Sequence, residues 1–171
     1  KDEQNVTILE NFYSDAKRHA FMFQIMAFAT RLQALKDAID ENPNVKVIIC
    51  ERSILADNKV FASMLHDDGV IDKMGITIYN TMADNYFKDY PLSGIIYIDA
   101  DPDVCSNRIK KRNRDGEDNI GIDYLTRCKI YHDKWLLQYR NYSIVPEIRD
   151  ETSLLHIKTN EDSNFDNSDI S

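Results

Sequence analysis

Three short runs, residues 45–50, 94–100 and 154–159, are rich in apolar and β-branched side chains, and helical stretches separate each from the next. A nearly continuous apolar run such as Val45, Val47, Ile48 and Ile49 reads as a strand buried on both faces. Strands joined by helical crossovers imply a parallel, doubly wound α/β sheet with helices on both faces. Residues 16–41 read as one long helix capped by Ser14 or Asp15, with no Gly or Pro before Pro43. Its apolar positions cover more than one stripe, which predicts burial on most sides. Further helices are expected over 54–68, broken by Gly69, over 72–90, ended by Pro91, over 102–112, with Pro102 in the first turn, and over 123–140. Residues 113–121, polar and with two glycines, read as a loop, and the acidic end of the chain as a frayed tail.

A chain of 171 residues fits one domain, taken as 1–160 with a tail over 161–171. The net charge of −8 opposes a phosphate backbone and argues against nucleic acid as a partner. No apolar run approaches the ~20 residues that cross a bilayer. Cys50, Cys105 and Cys128 are scattered and odd in number, and the four histidines are equally scattered, so neither a disulfide framework nor a zinc site is suggested.

Three features could carry chemistry. Glu51-Arg52-Ser53 directly follows the first strand, where open parallel sheets bind ligands. It is either a surface ion pair with a helix cap at Ser53, or a site where Glu51 handles magnesium and Arg52 grips an anion or hydroxyl. Arg108 and Arg112 share a helix face and Arg114 follows in the loop, with Lys110 and Lys111 between them. This is either a solvated basic face or a clamp for phosphoryl oxygens. Gln24 and Arg31 lie two turns apart on the long helix, and Tyr13 about three turns before Gln24. Buried, they need partners: the edge of a planar heterocycle, or a carboxylate such as Asp57, or both.

In this order the residues resemble the deoxynucleoside kinases. The matching pieces are Tyr13, Phe21-Met22-Phe23-Gln24 with Arg31, Glu51-Arg52-Ser53 with Asp57, Thr77-Ile78-Tyr79, Gly94-Ile95-Ile96-Tyr97, and Asp101-Pro102 leading to Arg108-Ile109. Arg112-x-Arg114, Glu117, Tyr124-Leu125 and His132-x-x-Trp135-Leu136 complete the set. The resemblance implies a P-loop-kinase-like fold and transfer of the γ-phosphoryl of ATP, with Mg2+, to the 5′-hydroxyl of a deoxynucleoside. Gln24 would hold the base edge, with Phe23, Ala27 and Phe61 near the ring. Arg31 and Asp57 match the pattern of enzymes that take deoxycytidine or purine deoxynucleosides; relatives that take thymidine lack the pair. Tyr13 and Glu117 would bind the sugar 3′-hydroxyl, Arg52 the 5′-oxygen, and Glu51 the magnesium. Arg108, Arg112 and Arg114 would form the lid, with Arg108, Arg112 and Asp162 at the donor nucleotide. A cytoplasmic homodimer, built on the helices after Ser53 and over 72–90, is also implied.

The family pattern opens with a strand, a P-loop G-x-x-x-x-G-K-[ST] and an acidic general base. None of the five glycines sits in that pattern. The sequence is therefore expected to represent a kinase without its N-terminal portion and to be inactive alone. Two other readings share these residues: a catalytically inactive assembly subunit, and a nucleoside monophosphate kinase. An intact lid and sugar clamp argue against the first, and a pocket suited to a neutral sugar and base against the second.

Overall fold

The computed structural model describes residues 7–114, 117, 120–138 and 153–160. The chain forms two compact units, Lys1–Pro91 and Leu92–Ser171.

The first unit is helical. Helix α1 (Ile8–Ser14) opens on a capping box, in which Thr7 and Glu10 satisfy each other's backbone N–H. Asp15 caps α2 (Ala16–Glu41) by accepting from the Arg18 amide. Of its residues, Ala20, Gln24 and Phe28 are buried, one stripe at four-residue spacing. This corrects the expectation of burial on most sides: Met22, Met26 and Ile39 face outward. Only one side of α2 packs against the following helices, so apolar content alone overstates its burial.

Ser53 caps α3 (Ile54–Ala56). The helix then widens into a π-helical stretch, Asp57–Ala62, before returning to α4 (Ser63–Asp67). Gly69 turns the chain with φ +68°, a left-handed conformation that favours glycine. Asp72 caps α5 (Lys73–Asp89). At Gly75 a β-carbon would lie 3.0 Å from Ile71 Cγ2 and 3.2 Å from Phe21 Cδ2, so glycine permits close approach of α5 to α2. Around it Phe28, Ile54, Leu65, Ile71, Ile76 and Tyr79 form a single core.

Residues 45–50, expected as a buried strand, pair with no strand among the described residues. Val47 is 70% exposed and Ile49 82%. β-Branched side chains favour extended backbone locally, but a strand exists only where another strand completes its ladder.

The second unit holds β1 (Gly94–Asp99) and β2 (Ser153–Lys158), paired in parallel with Tyr97 opposite His156. Pro102 opens α6 (Pro102–Arg112), which ends on Asn113 in the left-handed region. Helix α7 (Ile122–Asp133) continues into a π turn, Lys134–Gln138. The parallel crossover is as expected. Burial of β1 is not: Tyr97 and Asp99 face inward, whereas Ile96 and Ile98 on the other face are exposed. Helix packing covers one side of this two-stranded sheet, and alternation does the rest.

The covered face carries a polar network. Asp99 accepts from Lys129 Nζ at 2.6 Å and pairs with His156 Nε2 at 2.9 Å. The Tyr97 hydroxyl donates to Asp133 at 2.9 Å, and its ring stacks with those of His132 and His156. Burial pushes the Asp99 carboxyl up, but hydrogen bonds from Lys129 and His156 outweigh it and hold Asp99 below the ordinary carboxylate range. No helix among the described residues is long and apolar enough to cross a membrane. The loop positions 115, 116, 118 and 119, the end of the helix expected over 123–140, the tail and Asp162 lie outside the described residues.

Candidate nucleoside and phosphate sites

In the first unit, Arg31 and Asp57 meet across helices. Arg31 Nε lies 2.7 Å from Asp57 Oδ2, and Arg31 Nη1 donates to the Glu51 carbonyl at 3.0 Å. The Asp57 side chain is 4% exposed and the Arg31 side chain 29%. Burial makes the pairing obligatory for the carboxylate, which water could not otherwise solvate. The carbonyl bond also ties the Glu51–Arg52 corner to α2. Asp57 is the first residue of the π-helical stretch, where the chain departs from i→i+4 bonding; such departures recur at functional sites.

Gln24 sits two turns before Arg31. It is buried. Its amide offers a donor and an acceptor side by side, which suits the edge of a planar heterocycle. Phe23 is half-buried and stacks on Phe12 of α1 at 4.9 Å. Tyr13, beside Phe12, is exposed.

Arg52 adopts φ +61°, uncommon for a residue with a β-carbon. Its guanidinium lies 4.7 Å over the Phe61 ring centroid, within cation–π reach. The neighbouring Ser53 hydroxyl accepts from the Ala56 amide at 3.1 Å. The cap half of the simpler reading therefore holds, while Arg52 is held over an aromatic ring by a backbone conformation of the kind that clusters at ligand sites. A cleft of about 410 Å³ opens beside this corner, lined by Ala27, Thr30, Arg31, Leu35, Cys50 and Glu51. Gln24, Asp57 and Phe61 do not line it; Arg31 joins the cleft to the buried pair.

In the second unit the arginines separate. Arg108 bonds the carbonyl and hydroxyl of Thr159, just past β2, and thereby clasps α6 to the sheet. Arg112 places Nη2 2.7 Å and Nε 3.1 Å from one oxygen of Glu117. Arg114 and Glu117 line a smaller cavity of about 110 Å³ with Ser106, Ile109, Lys110 and Ile120. Arg112 and Arg114 thus remain near the loop, whereas Arg108 is engaged with backbone.

The deoxynucleoside kinase family model matches residues 1–169. The chain belongs to the deoxynucleoside kinase family. Among its relatives it is 40% identical over 131 residues to a probable deoxycytidine kinase of fowlpox virus, covering 75% of this chain and 55% of that protein. It is 33% identical to the Bos taurus deoxycytidine kinase, over 91% of this chain and 62% of the relative. A Dictyostelium discoideum deoxyguanosine kinase is 27% identical over 78% of this chain and 47% of its own length. The chain therefore spans between about half and three fifths of these relatives' lengths.

Sequence reasoning named Arg31, Asp57, Gln24 and Glu51–Ser53 but not the left-handed backbone at Arg52, because the residue is not one that announces positive φ. It also passed over the hydroxyl of Tyr79, which is wholly buried and has no hydrogen-bond partner among the described residues. Burial and the nearby Asp57 charge push that phenol well above its ordinary range, against the pull of Arg31. Its tyrosine sits in the middle of an amphipathic helix, where a core aromatic is the ordinary expectation.

Proposed function

We propose that the protein transfers the γ-phosphoryl group of ATP to the 5′-hydroxyl of a deoxynucleoside, with deoxycytidine or a purine deoxynucleoside as acceptor. The observation that carries this reading is the buried Arg31–Asp57 pair two turns from the buried Gln24 amide. An amide edge and a fixed carboxylate offer hydrogen bonds to a base bearing an exocyclic amino group, and the charged pair fills the space a thymine methyl would need. A site built to hydrogen-bond its ligand rejects a mismatch by roughly 10⁴-fold or more.

The residues fit the reaction in distinct roles. Arg52, held over Phe61, would contact the 5′-oxygen region in this reading. The Glu51 carboxylate is exposed, which suits a hard cation that keeps several waters. Glu51 would hold magnesium, whose chemistry here is to neutralise charge on the phosphates. Arg112 and Arg114 supply guanidinium donors for phosphoryl oxygens, and Arg108 fixes the helix that carries Arg112. Asp162 joins the donor site in this reading. Glu117 serves as an acceptor for a sugar hydroxyl, as does Tyr13. Phosphoryl transfer asks for positioning and charge neutralisation more than covalent help, and these residue types meet that demand. A homodimer through α5 is part of the same reading, supported by exposed Met74 and Ile78 on that helix.

The test is kcat/KM of the full-length protein with ATP and magnesium for deoxycytidine, deoxyadenosine, deoxyguanosine and thymidine. Preference for the amino-bearing bases is expected. Preference for thymidine would overturn the pocket assignment.

A further inference from the structure

Tyr79 heads the fully buried side chains by volume, and its hydroxyl is a donor with nothing to donate to. Native structures rarely keep such a group without a physical reason. Its surroundings point to Asp57. The residues that follow each of them are joined: Asn58 Nδ2 donates to Asn80 Oδ1 at 2.7 Å, which pins the π-helical stretch to α5 at this level. The Tyr79 ring meets the edge of Phe28 at 5.8 Å and 81°, and Phe28 lies one turn before Arg31 on α2. Tyr79 is therefore enclosed by the elements that carry the ion pair. Asp57 Oδ2 accepts from Arg31 Nε at 2.7 Å. A buried donor without an acceptor among the described residues thus lies among the elements that carry a buried carboxylate.

We propose that Tyr79 is a positioning residue of the base pocket, its hydroxyl donating to the Asp57 carboxylate, directly or through one water, when a nucleoside occupies the pocket. This rests on the deoxynucleoside reading above. A carboxylate held from behind by a phenol and from the side by a guanidinium keeps its remaining lone pairs aimed at the ligand. Those lone pairs accept from an exocyclic amino group and meet a carbonyl at the same position with repulsion. Tyr79 thereby acts on selectivity between bases without touching the base. The influence of Asp57 and Arg31 on Tyr79 ionisation is what this proximity requires.

The test is Tyr79→Phe in the full-length protein, which keeps the ring and removes only the oxygen. Its readouts are calorimetric affinity and the separate kcat and KM for deoxycytidine and thymidine, with a thermal melt. The expected result is an unchanged or slightly higher melting temperature, since an orphan donor is gone. Affinity for deoxycytidine should fall roughly tenfold, the scale of one hydrogen bond to a charged group. That loss should appear in KM, with kcat and thymidine affinity nearly unchanged, so that selectivity narrows. Phe28→Leu perturbs the same packing without a polar group, and should lower the melting temperature while leaving the ratio of the two nucleosides in place. Unaltered selectivity in Tyr79→Phe would overturn the proposal and make Tyr79 a packing residue. If the unmodified protein binds none of deoxycytidine, deoxyadenosine and deoxyguanosine, the pocket reading itself falls, and this proposal with it.

Discussion

Removing either partner of the Arg31–Asp57 pair should destabilise the protein, and by unequal amounts. Arg31→Met leaves a carboxylate whose side chain is 4% exposed, with no cation against it. An uncompensated buried charge of this kind costs about 3–5 kcal/mol. Asp57→Asn leaves the guanidinium instead, which is 29% exposed and still donates to the Glu51 carbonyl. Water and that carbonyl solvate it, and the cost should be about 1–2 kcal/mol. For a chain of this size each kcal/mol moves the midpoint by about 2–4 °C. Arg31→Met should therefore lose about 6–20 °C and Asp57→Asn about 2–8 °C. The double change removes both charges together, so the sum of the single losses should overshoot it by about 1–3 kcal/mol. Denaturant titrations and thermal melts of the four proteins read all three quantities. Equal single losses, the reverse order, or additivity within about 0.5 kcal/mol would refute the reasoning, because each would mean that the pair is solvated as a surface pair. In activity, the double change should move preference toward thymidine.

Arg52→Ala should reduce kcat with little change in KM, because the group acts on the reacting oxygen; a raised KM at normal kcat would assign it to binding alone. Arg52→Gly should lose the same activity yet be more stable than Arg52→Ala by about 1 kcal/mol, since φ +61° penalises a β-carbon. Asp99, held below its ordinary range, contributes stability above pH ~4 that is lost as pH falls through its folded pKa. Lys129, raised, contributes stability below pH ~10.5 that is lost as pH rises through its folded pKa. Asp99→Asn should therefore flatten the acid limb of the stability profile, and Lys129→Met the alkaline limb; parallel profiles would dispose of the network. Arg112→Ala should alter stability by no more than about 1 kcal/mol, since its pair with Glu117 is exposed, while slowing phosphoryl transfer strongly in single-turnover kinetics.

Elements governed by local chemistry were legible in the sequence. Helix α2 matches its expected bounds because Asp15 caps it and no Gly or Pro interrupts it, and Pro102 and Gly69 mark a start and a stop for the same local reason. The Arg31–Asp57 pair was also legible, since two ionisable groups on apolar helices have few places to go. What escaped depends on partners distant in sequence. Residues 45–50 carry the composition of a strand, but a ladder is supplied by another segment. The open face of β1 escaped likewise, because identical isoleucines occur on covered and uncovered faces. The engagement of Arg108 by Thr159, 51 residues away, cannot be read from the spacing of three arginines.

The π-helical stretch at Asp57–Ala62 has a consequence for how this pocket tolerates insertion and deletion. A wide turn accommodates one residue more than the α-helix around it, and each residue turns an α-helix by about 100°. Excision of a single residue between Asp57 and Ala62 would let ordinary α bonding close over the gap, and the flanking segments would keep nearly the same angular relation. Asp57 would still face Arg31, and Met64 and Leu65 would still face the core. The same excision from the unbroken α2 would turn everything after it by about 100° and carry its buried stripe out of the interior. The π-helical stretch is thus the place in the first unit where a helix can shed one residue and keep both of its faces.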